Sequence, residues 1–219
     1  MNVLELFAGS RSVGRAAERL GMRVFSSDLV AFDGIDYAVD ILDFDPSAVP
    51  FRPDIIWASP PCTSFSVAAM GHHWHSERLP GGLRTYEAKT EGARLGVRIV
   101  ERTLEIIEHF APAHWFIENP RGLLRKMPQM RGLARHTVTY CQYGDDRMKP
   151  TDVWTNSEAW LPRPMCRNGD RCHESAPRGS RTGTQGRKGA YDRSKIPDPL
   201  CEEVLRSCIP GWTGFAGNI

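Results

Sequence analysis

Residues 54–66 read Asp-Ile-Ile-Trp-Ala-Ser-Pro-Pro-Cys-Thr-Ser-Phe-Ser, an apolar segment that runs into two prolines and a cysteine. The prolines end the predicted strand because they lack an N–H group and hold φ near about −65°. Cys62 therefore follows a strand end directly, where ligands bind in open α/β sheets. A structural cysteine more often lies inside a strand or helix as a small apolar side chain. The motif makes Cys62 a candidate nucleophile, with a structural role as the alternative.

The size and composition of the chain favour one soluble domain. A chain of 219 residues can bury one full-sized core and is short for two. Its 41% hydrophobic and 25% charged residues are ordinary for a globular protein. No apolar run approaches the roughly 20 residues that span a bilayer, and the N-terminus lacks the features of a signal peptide. We therefore expect a single domain over residues 1–219, no membrane partner and a cytoplasmic location.

Charge is distributed unevenly along the chain. Residues 1–60 contain nine acidic and five basic side chains, whereas residues 161–195 contain nine basic and three acidic ones. A solvated loop is one interpretation of such a basic segment, and contact with nucleic acid is the other.

Three more segments are predicted to bring polar groups to the same sheet edge as Cys62. A strand at residues 2–7 leads through Ala8-Gly9-Ser10 into a helix, the pattern of a nucleotide-binding unit in which glycine admits a ligand close to the backbone. Asp28 ends the second strand, where a carboxylate accepts ribose hydroxyls, although an ordinary turn acid is the alternative. Asp40 follows a short third strand and suits an adenine amino group.

The chain after Cys62 contains a long connection and then a second candidate catalytic residue. Residues 67–90 are too long for a simple connection and are predicted to form a mobile cover over Cys62; a histidine metal site there lacks acidic or cysteine partners. A helix over residues 92–110 precedes a strand at 114–117. Glu118 ends this strand and would face the same cleft, unless it only caps the next helix.

These motifs resemble those of the cytosine carbon-5 DNA methyltransferases that use S-adenosylmethionine. Residues 5–9, Glu-Leu-Phe-Ala-Gly, are similar to the cofactor loop of the family; Ser59-Pro60-Pro61-Cys62 is similar to its nucleophile motif; and residues 117–120, Ile-Glu-Asn-Pro, are similar to its glutamate motif. The resemblance implies a Rossmann-like class I methyltransferase: an α/β fold with a seven-stranded, mostly parallel sheet, helices on both faces and a small irregular basic insertion near the C-terminus. The resemblance also implies the residues that hold S-adenosylmethionine: Phe7, Ala8, Gly9, Ser10, Asp28, Leu29, Asp40, Ile41, Ser59 and Pro60.

The family chemistry gives three residues catalytic roles. A thiolate at Cys62 attacks carbon 6 of cytosine, which makes carbon 5 nucleophilic enough to accept a methyl group. Glu118 holds or protonates ring nitrogen 3, and Arg147 is the candidate cation for carbonyl oxygen 2. Backbone N–H groups of the turn and a nearby arginine are expected to activate Cys62. The target base must leave the stacked duplex to reach these groups.

The second half of the chain departs from the family. Arg147 and Lys149 keep the alternation of its two arginines, but the preceding glutamine is out of register. The large target-recognition domain of the family is absent, and only residues 157–195 remain for it. In this small size the chain resembles the compact methyltransferase-like proteins of phages. We therefore expect a monomer in a bacterial or phage-infected cell, with double-stranded DNA as the partner. The predicted contacts to nucleic acid are Ser66, Lys149, Arg178, Arg181 and Gln185.

Four residues of this second half form a candidate zinc site. Cys141 ends a predicted strand, and Cys166, Cys172 and His173 follow in the basic segment. Two or three cysteines with a histidine are typical structural zinc ligands. The spacing is not that of a standard zinc knuckle, so free thiols are the alternative.

Taken together, the residues predict methylation of cytosine at carbon 5 in DNA. An RNA cytosine methyltransferase is one alternative, because a small recognition region suits a structured RNA. A catalytically silent protein that binds cofactor and DNA is the other, because the arginine motif is imperfect.

Overall fold

The computed structural model describes residues 1–175 and 190–212. The described chain contains nine strands and five α-helices. The strands are β1 (Asn2–Leu6), β2 (Arg23–Asp28), β3 (Tyr37–Ala38), β4 (Ile55–Ala58), β5 (Trp74–Arg78), β6 (Arg84–Ala88), β7 (His114–Pro120), β8 (Arg135–Thr139) and β9 (Pro150–Thr155). The helices are α1 (Ser12–Arg19), α2 (Met70–His73), α3 (Glu91–Phe110), α4 (Ala190–Ser194) and α5 (Asp198–Ser207).

Seven strands form the main sheet in the order β3-β2-β1-β4-β7-β9-β8. All neighbours are parallel except at β9, which runs antiparallel to both β7 and β8. This order, with one reversed strand next to the edge, is the class I methyltransferase arrangement. The predicted Rossmann-like fold is therefore confirmed.

The register of the sheet brings the ends of its strands to one edge. Leu6 of β1 pairs with both Ser27 and Ala58, and Ala58 pairs in turn with Ile117. The residues that follow these pairs therefore share the carboxyl edge of the parallel strands, where ligands bind in such sheets. They are Phe7, Asp28, Ser59 and Glu118.

The reversed strand β9 begins at this same edge. Its Thr151 pairs with Pro120 at the end of β7, and its Pro150 pairs with Thr139 at the end of β8. The segment between β8 and β9 therefore lies beside the carboxyl edge. It carries Tyr140 and Lys149 into the neighbourhood of Glu118.

Helices cover both faces of the sheet, as predicted. Alternate residues of a strand point to opposite faces, and each face buries its own apolar cluster. Val3 and Trp57 pack on one side with α1 and α5, while Leu4 and Ile56 pack on the other with α3. Full burial of each such side chain contributes about 1.5–3 kcal/mol. No helix of the described part of the chain is long and apolar enough to span a membrane.

The connection after Cys62 is more ordered than the sequence indicates. The segment predicted as a mobile cover forms α2 and an antiparallel hairpin of β5 and β6. Trp74 at the start of the hairpin is buried, stacks on Phe65 with ring centroids 5.6 Å apart, and donates its indole N–H to the Ser64 carbonyl at 2.8 Å. The start of the hairpin is therefore packed against the loop that carries Cys62, and movement of the hairpin stays a prediction.

Candidate active site

The loop after β1 is held in an unusual backbone conformation. Phe7 has a φ of 58° although it carries a side chain, and Gly9 has a φ of 46°. Strained residues of this kind cluster at ligand-binding sites. The N–H of Gly9 donates to the Asp28 carboxylate at 2.9 Å, which joins the loop to the end of β2. Ala8 and Ser10 of the same loop are buried.

A residue that the sequence analysis did not single out, Glu5, fixes the start of α1. Its buried carboxylate accepts the N–H groups of Val13 and Gly14 at 3.1 and 3.0 Å. Burial raises the pKa of Glu5 to about 7, although these hydrogen bonds act in the opposite direction. A Cβ on Gly14 would lie 2.6 Å from the Glu5 carboxylate, so a larger residue there would displace that carboxylate from its hydrogen bonds. An acid within an otherwise apolar strand was the available sequence signal.

The predicted adenosine-binding residues lie around the ends of β2 and β3. Asp28 is half-buried, and its second carboxylate oxygen accepts the Val30 N–H at 3.0 Å. Leu29 is 68% exposed, which leaves an apolar side chain free beside the cofactor loop. Asp40 is exposed and accepts the Leu42 N–H at 3.0 Å, while Ile41 is buried beneath it.

The Ser-Pro-Pro-Cys turn is fixed by contacts to the chain around Glu118. Asn119 donates its amide N–H to the Pro60 carbonyl at 2.8 Å. Farther along, the Phe65 carbonyl accepts the Leu123 N–H at 2.7 Å. A Cβ on Gly122 would lie 2.3 Å from that same carbonyl oxygen, so this close approach requires glycine. The nucleophile turn and the glutamate motif therefore form one packed unit.

Cys62 is half-buried at the centre of this unit, and its carbonyl accepts the N–H of Ser66 at 2.9 Å. Burial raises the pKa of the thiol, and the negative charge of Glu118 raises it further. The positive charge of Lys149 acts in the opposite direction. Burial and the charge of Glu118 therefore outweigh the expected activation by turn N–H groups and an arginine, and the thiol form of Cys62 is favoured.

Glu118 is buried, and its carboxylate has a specific partner. The hydroxyl of Tyr140, which is fully buried, donates to Glu118 Oε1 at 2.9 Å. Burial raises the pKa of Tyr140 well above its ordinary value, so the hydroxyl stays protonated and donates. No sequence signal pointed to Tyr140, because its role depends on the register between β8, β9 and β7.

Lys149 packs its ammonium against the Tyr140 ring, where its charge interacts with the Glu118 carboxylate. Its backbone is left-handed with a φ of 29°, directly before Pro150, a combination that is sterically disfavoured. Its ammonium lies 4.5 Å from the centre of the Tyr140 ring and donates to the Arg193 carbonyl at 3.0 Å. Burial lowers the pKa of Lys149, while the charge of Glu118 raises it.

Arg147, the predicted cation for oxygen 2, is engaged elsewhere. Its side chain is buried and donates twice to the Asp145 carboxylate, from Nε at 2.8 Å and from Nη2 at 2.5 Å. A third donor, Nη1, reaches the Arg193 carbonyl at 3.4 Å. The Arg147 guanidinium therefore serves a local ion pair, whereas the positive charges that act on the pKa of Cys62 are those of Lys149 and Arg193.

The four predicted metal ligands come together at the turn Tyr140–Tyr143, which follows β8 and contains Cys141. The ligand atoms of Cys141, Cys166, Cys172 and His173 all lie within 4.8 Å of one another.

Of the predicted contacts to nucleic acid, Ser66 and Lys149 lie at the active site, whereas Arg178, Arg181 and Gln185 fall outside the described residues.

Fold and site together define a class I methyltransferase with a cysteine at the end of β4 and a glutamate at the end of β7. A probable DNA (cytosine-5)-methyltransferase of Frog virus 3 (isolate Goorha) is 31% identical in an alignment of 224 residues, covering 95% of this chain and 100% of that protein. The chain therefore belongs to the DNA cytosine-5 methyltransferase family. No family model matches it.

Two solved methyltransferases are similar to part of the structure. The S. pombe Dnmt2 structure matches 74% of this chain with a TM-score of 0.46 at 13% identity. A Spodoptera frugiperda DNMT2 mutant also matches 74%, with a TM-score of 0.45 at 14% identity. The chain covers 52% and 55% of those two structures, so it spans about half their length.

Proposed function

We propose that the protein transfers a methyl group from S-adenosylmethionine to carbon 5 of a cytosine flipped out of double-stranded DNA. One observation carries the proposal: Cys62, Glu118 and Lys149 converge at the sheet edge that also carries the cofactor loop. A thiol, a carboxylate and a cation are the groups that this reaction uses. The family relationship supports the same assignment.

S-adenosylmethionine fits the residues around the cofactor loop. The half-buried Asp28 carboxylate suits the ribose hydroxyls, and the exposed Leu29 side chain suits one face of the adenine ring. Asp40 and Ile41 would lie beside the adenine, and Phe7 to Ser10, with Ser59 and Pro60, would line the methionine part. The cofactor supplies an electrophilic methyl group bound to a sulfonium.

Substitution Asp28→Ala should weaken S-adenosylmethionine binding by roughly 10- to 100-fold, because hydrogen bonds to a charged group contribute about 1.5–3 kcal/mol. Titration calorimetry checks the affinity. Asp45→Ala is the matched control, since Asp45 is another turn acid that accepts a backbone N–H, from Ser47, outside the predicted site. Equal affinities for the two variants would remove Asp28 from the cofactor site.

The proposed reaction begins when the Cys62 thiol loses its proton to water. The thiolate forms a bond to carbon 6, and the electron pair of the carbon 5–carbon 6 double bond moves to carbon 5. Carbon 5 would then take the methyl group, while the sulfonium–methyl bond breaks and leaves its electron pair on sulfur as the neutral thioether. Lys149 stabilises the negative charge that develops at oxygen 2, and Glu118 binds ring nitrogen 3. Water then removes the proton from carbon 5, the electron pair of that bond restores the carbon 5–carbon 6 double bond, and Cys62 leaves as a thiolate.

Tyr140 is a positioning residue in this scheme, since its hydroxyl holds Glu118 while its ring supports Lys149. Tyr140→Phe keeps the ring and should lower kcat by about 10- to 100-fold, the cost of one hydrogen bond to a charged group. The KM for DNA and the affinity for S-adenosylmethionine should stay unchanged.

The matched control for this variant is Tyr143→Phe. The Tyr143 hydroxyl donates to Glu203 at 3.2 Å and accepts the Arg163 N–H at 3.0 Å, with no bond to Glu118. Both variants lose one buried hydroxyl, so both should lower the melting temperature. A kcat that falls equally in both would show that Tyr140 acts on stability alone.

We also propose a second cofactor, a zinc ion, outside the reacting centre. Its ligands would be Cys141, Cys166, Cys172 and His173, a donor set typical of structural zinc.

We further propose that residues 157–195 form a reduced target-recognition segment in a monomeric, single-domain protein. The basic composition of that segment supports contact with DNA phosphates.

Bisulfite sequencing tests the proposed function. Duplex DNA incubated with the protein and S-adenosylmethionine should acquire protected cytosines, whereas a structured RNA treated in parallel should not. Protection confined to RNA would assign the activity to RNA cytosines. No protection of either substrate by a protein that binds S-adenosylmethionine and DNA would support the catalytically silent alternative.

A further inference from the structure

The cysteine and histidine cluster joins two segments that are distant in the sequence. Cys141 lies in the turn Tyr140–Tyr143 that follows β8, whereas the other three ligands lie in the irregular segment that follows β9. Cys141 and Cys166 are buried, and all three cysteines are free thiols. A metal ion at this place would therefore cross-link two parts of the chain.

The spacing of the ligand atoms fits a tetrahedral zinc ion. Ligand lengths of about 2.3 Å for sulfur and 2.0–2.1 Å for nitrogen place neighbouring ligand atoms roughly 3.5–3.8 Å apart. Cys172 Sγ lies 3.6 Å from Cys141 Sγ and 3.5 Å from His173 Nδ1. His173 Nδ1 lies 3.7 Å from Cys166 Sγ, and the two buried sulfurs are 3.0 Å apart. Of these four distances, only the last has to lengthen to admit the ion, and all four ligand atoms lie within 4.8 Å of one another.

The turn that holds Cys141 is also the turn that positions the catalytic lysine. The Tyr140 N–H donates to the Met148 carbonyl at 2.8 Å, which fixes the residue before Lys149. The Asp145 N–H donates back to the Tyr140 carbonyl at 3.2 Å. The conformation of this turn therefore sets where both Tyr140 and Lys149 lie.

The metal-binding segment contacts this turn on both sides of Cys141. The Cys166 N–H donates to the Thr139 hydroxyl at 3.1 Å, and the Glu174 N–H donates to the Asp146 carbonyl at 2.9 Å. These are single hydrogen bonds from an irregular segment, each contributing about 0.5–1.5 kcal/mol. A zinc ion would hold the two segments together far more strongly than these bonds do.

We infer that zinc bound by Cys141, Cys166, Cys172 and His173 cross-links the segment 166–174 to the turn that carries Tyr140 and Lys149, so that metal binding fixes the geometry of the catalytic edge. The effect on catalysis rests on the proposed function, whereas the cross-link itself does not. Without the metal, the turn should open more often, and Lys149 should lose its fixed position beside Cys62.

The test starts with full-length protein purified without chelator, whose zinc content is measured by elemental analysis. One zinc per chain is expected. Chelation should then lower the melting temperature and increase amide hydrogen exchange in peptides that cover residues 139–149, and added zinc should reverse both changes. Replacement by Co²⁺ should give the visible absorption of a tetrahedral thiolate site. The kcat for DNA should fall on chelation, while S-adenosylmethionine affinity stays unchanged.

Cys172→Ser is the informative variant, because Cys172 is the exposed ligand and its replacement costs little packing. It should lose zinc and show the exchange pattern of the chelated protein. Cys208→Ser is the matched control, since Cys208 is a buried free thiol in the C-terminal core. It should keep one zinc per chain.

Zinc well below one per chain, with no uptake of added zinc, would overturn the metal site. Stoichiometric zinc with unchanged exchange in residues 139–149 on chelation would overturn the cross-link. Zinc content and exchange are measured without any methyl transfer, so an inactive protein that passes both would contradict the proposed function and leave the cross-link supported.

Discussion

Cys62→Ser should abolish methyl transfer to DNA, with a loss on the order of 10⁶ in kcat, the scale seen when an attacking nucleophile is removed from another enzyme. A serine hydroxyl is a far weaker nucleophile than a thiolate at neutral pH. Binding of S-adenosylmethionine should stay unchanged, because Cys62 is not among the proposed cofactor residues and serine is close to cysteine in size. Cys208→Ser should behave as the unaltered protein, since that thiol lies in the core.

The pH dependence of the reaction follows from the surroundings of Cys62. Burial and the charge of Glu118 raise the pKa of the thiol, so the reactive thiolate fraction increases as the pH rises. The single-turnover rate should therefore rise with pH. Methylation by Cys62→Ser at a rate near that of the unaltered protein would contradict the role of Cys62.

Lys149→Met should lower kcat by about 10²–10³-fold, the usual effect of removing one group that stabilises developing charge. Methionine keeps much of the length and packing of lysine but has no charge. Lys149→Arg should retain more activity than Lys149→Met, since arginine preserves the cation. Affinity for S-adenosylmethionine reports whether the fold survives in both variants.

The two Lys149 variants also show whether Lys149 or Arg147 is the cation that stabilises oxygen 2. Arg147 is buried and bound by Asp145, so its removal would leave a carboxylate without its partner and should lower the melting temperature. If Lys149→Met kept a normal kcat, oxygen 2 would need another cation, and Arg147 would again be the candidate.

The residues at the strand ends could be located from the sequence because short local patterns determine where each strand ends. Pro60 and Pro61 follow β4 directly, and the strand-forming segments before Asp28 and Glu118 identify two more strands. In a parallel sheet, such ends meet at one edge whatever the loops do. The fold class and the neighbourhood of Cys62 and Glu118 therefore followed from segments of fewer than ten residues.

The choice between Arg147 and Lys149 could not be made in this way. The sequence does not show which of these two side chains faces the cleft. That depends on the ion pair between Arg147 and Asp145 and on the residue at which β9 begins. Tyr140 is similar, because its hydroxyl reaches Glu118 only through the antiparallel pairing of β9 with β7 and β8. These are contacts between distant segments, and no local pattern encodes them.

Covalent trapping tests the proposed mechanism most directly. The protein is incubated with S-adenosylmethionine and duplex DNA that carries 5-fluorocytosine at target positions, and the adduct is mapped by peptide mass spectrometry. Fluorine cannot leave as a cation after methyl transfer, so the complex cannot release the base. We expect a stable adduct at Cys62 that requires S-adenosylmethionine and is absent from Cys62→Ser. An adduct at Cys141 or Cys201, or methylated cytosine formed without any adduct, would contradict attack by Cys62 at carbon 6.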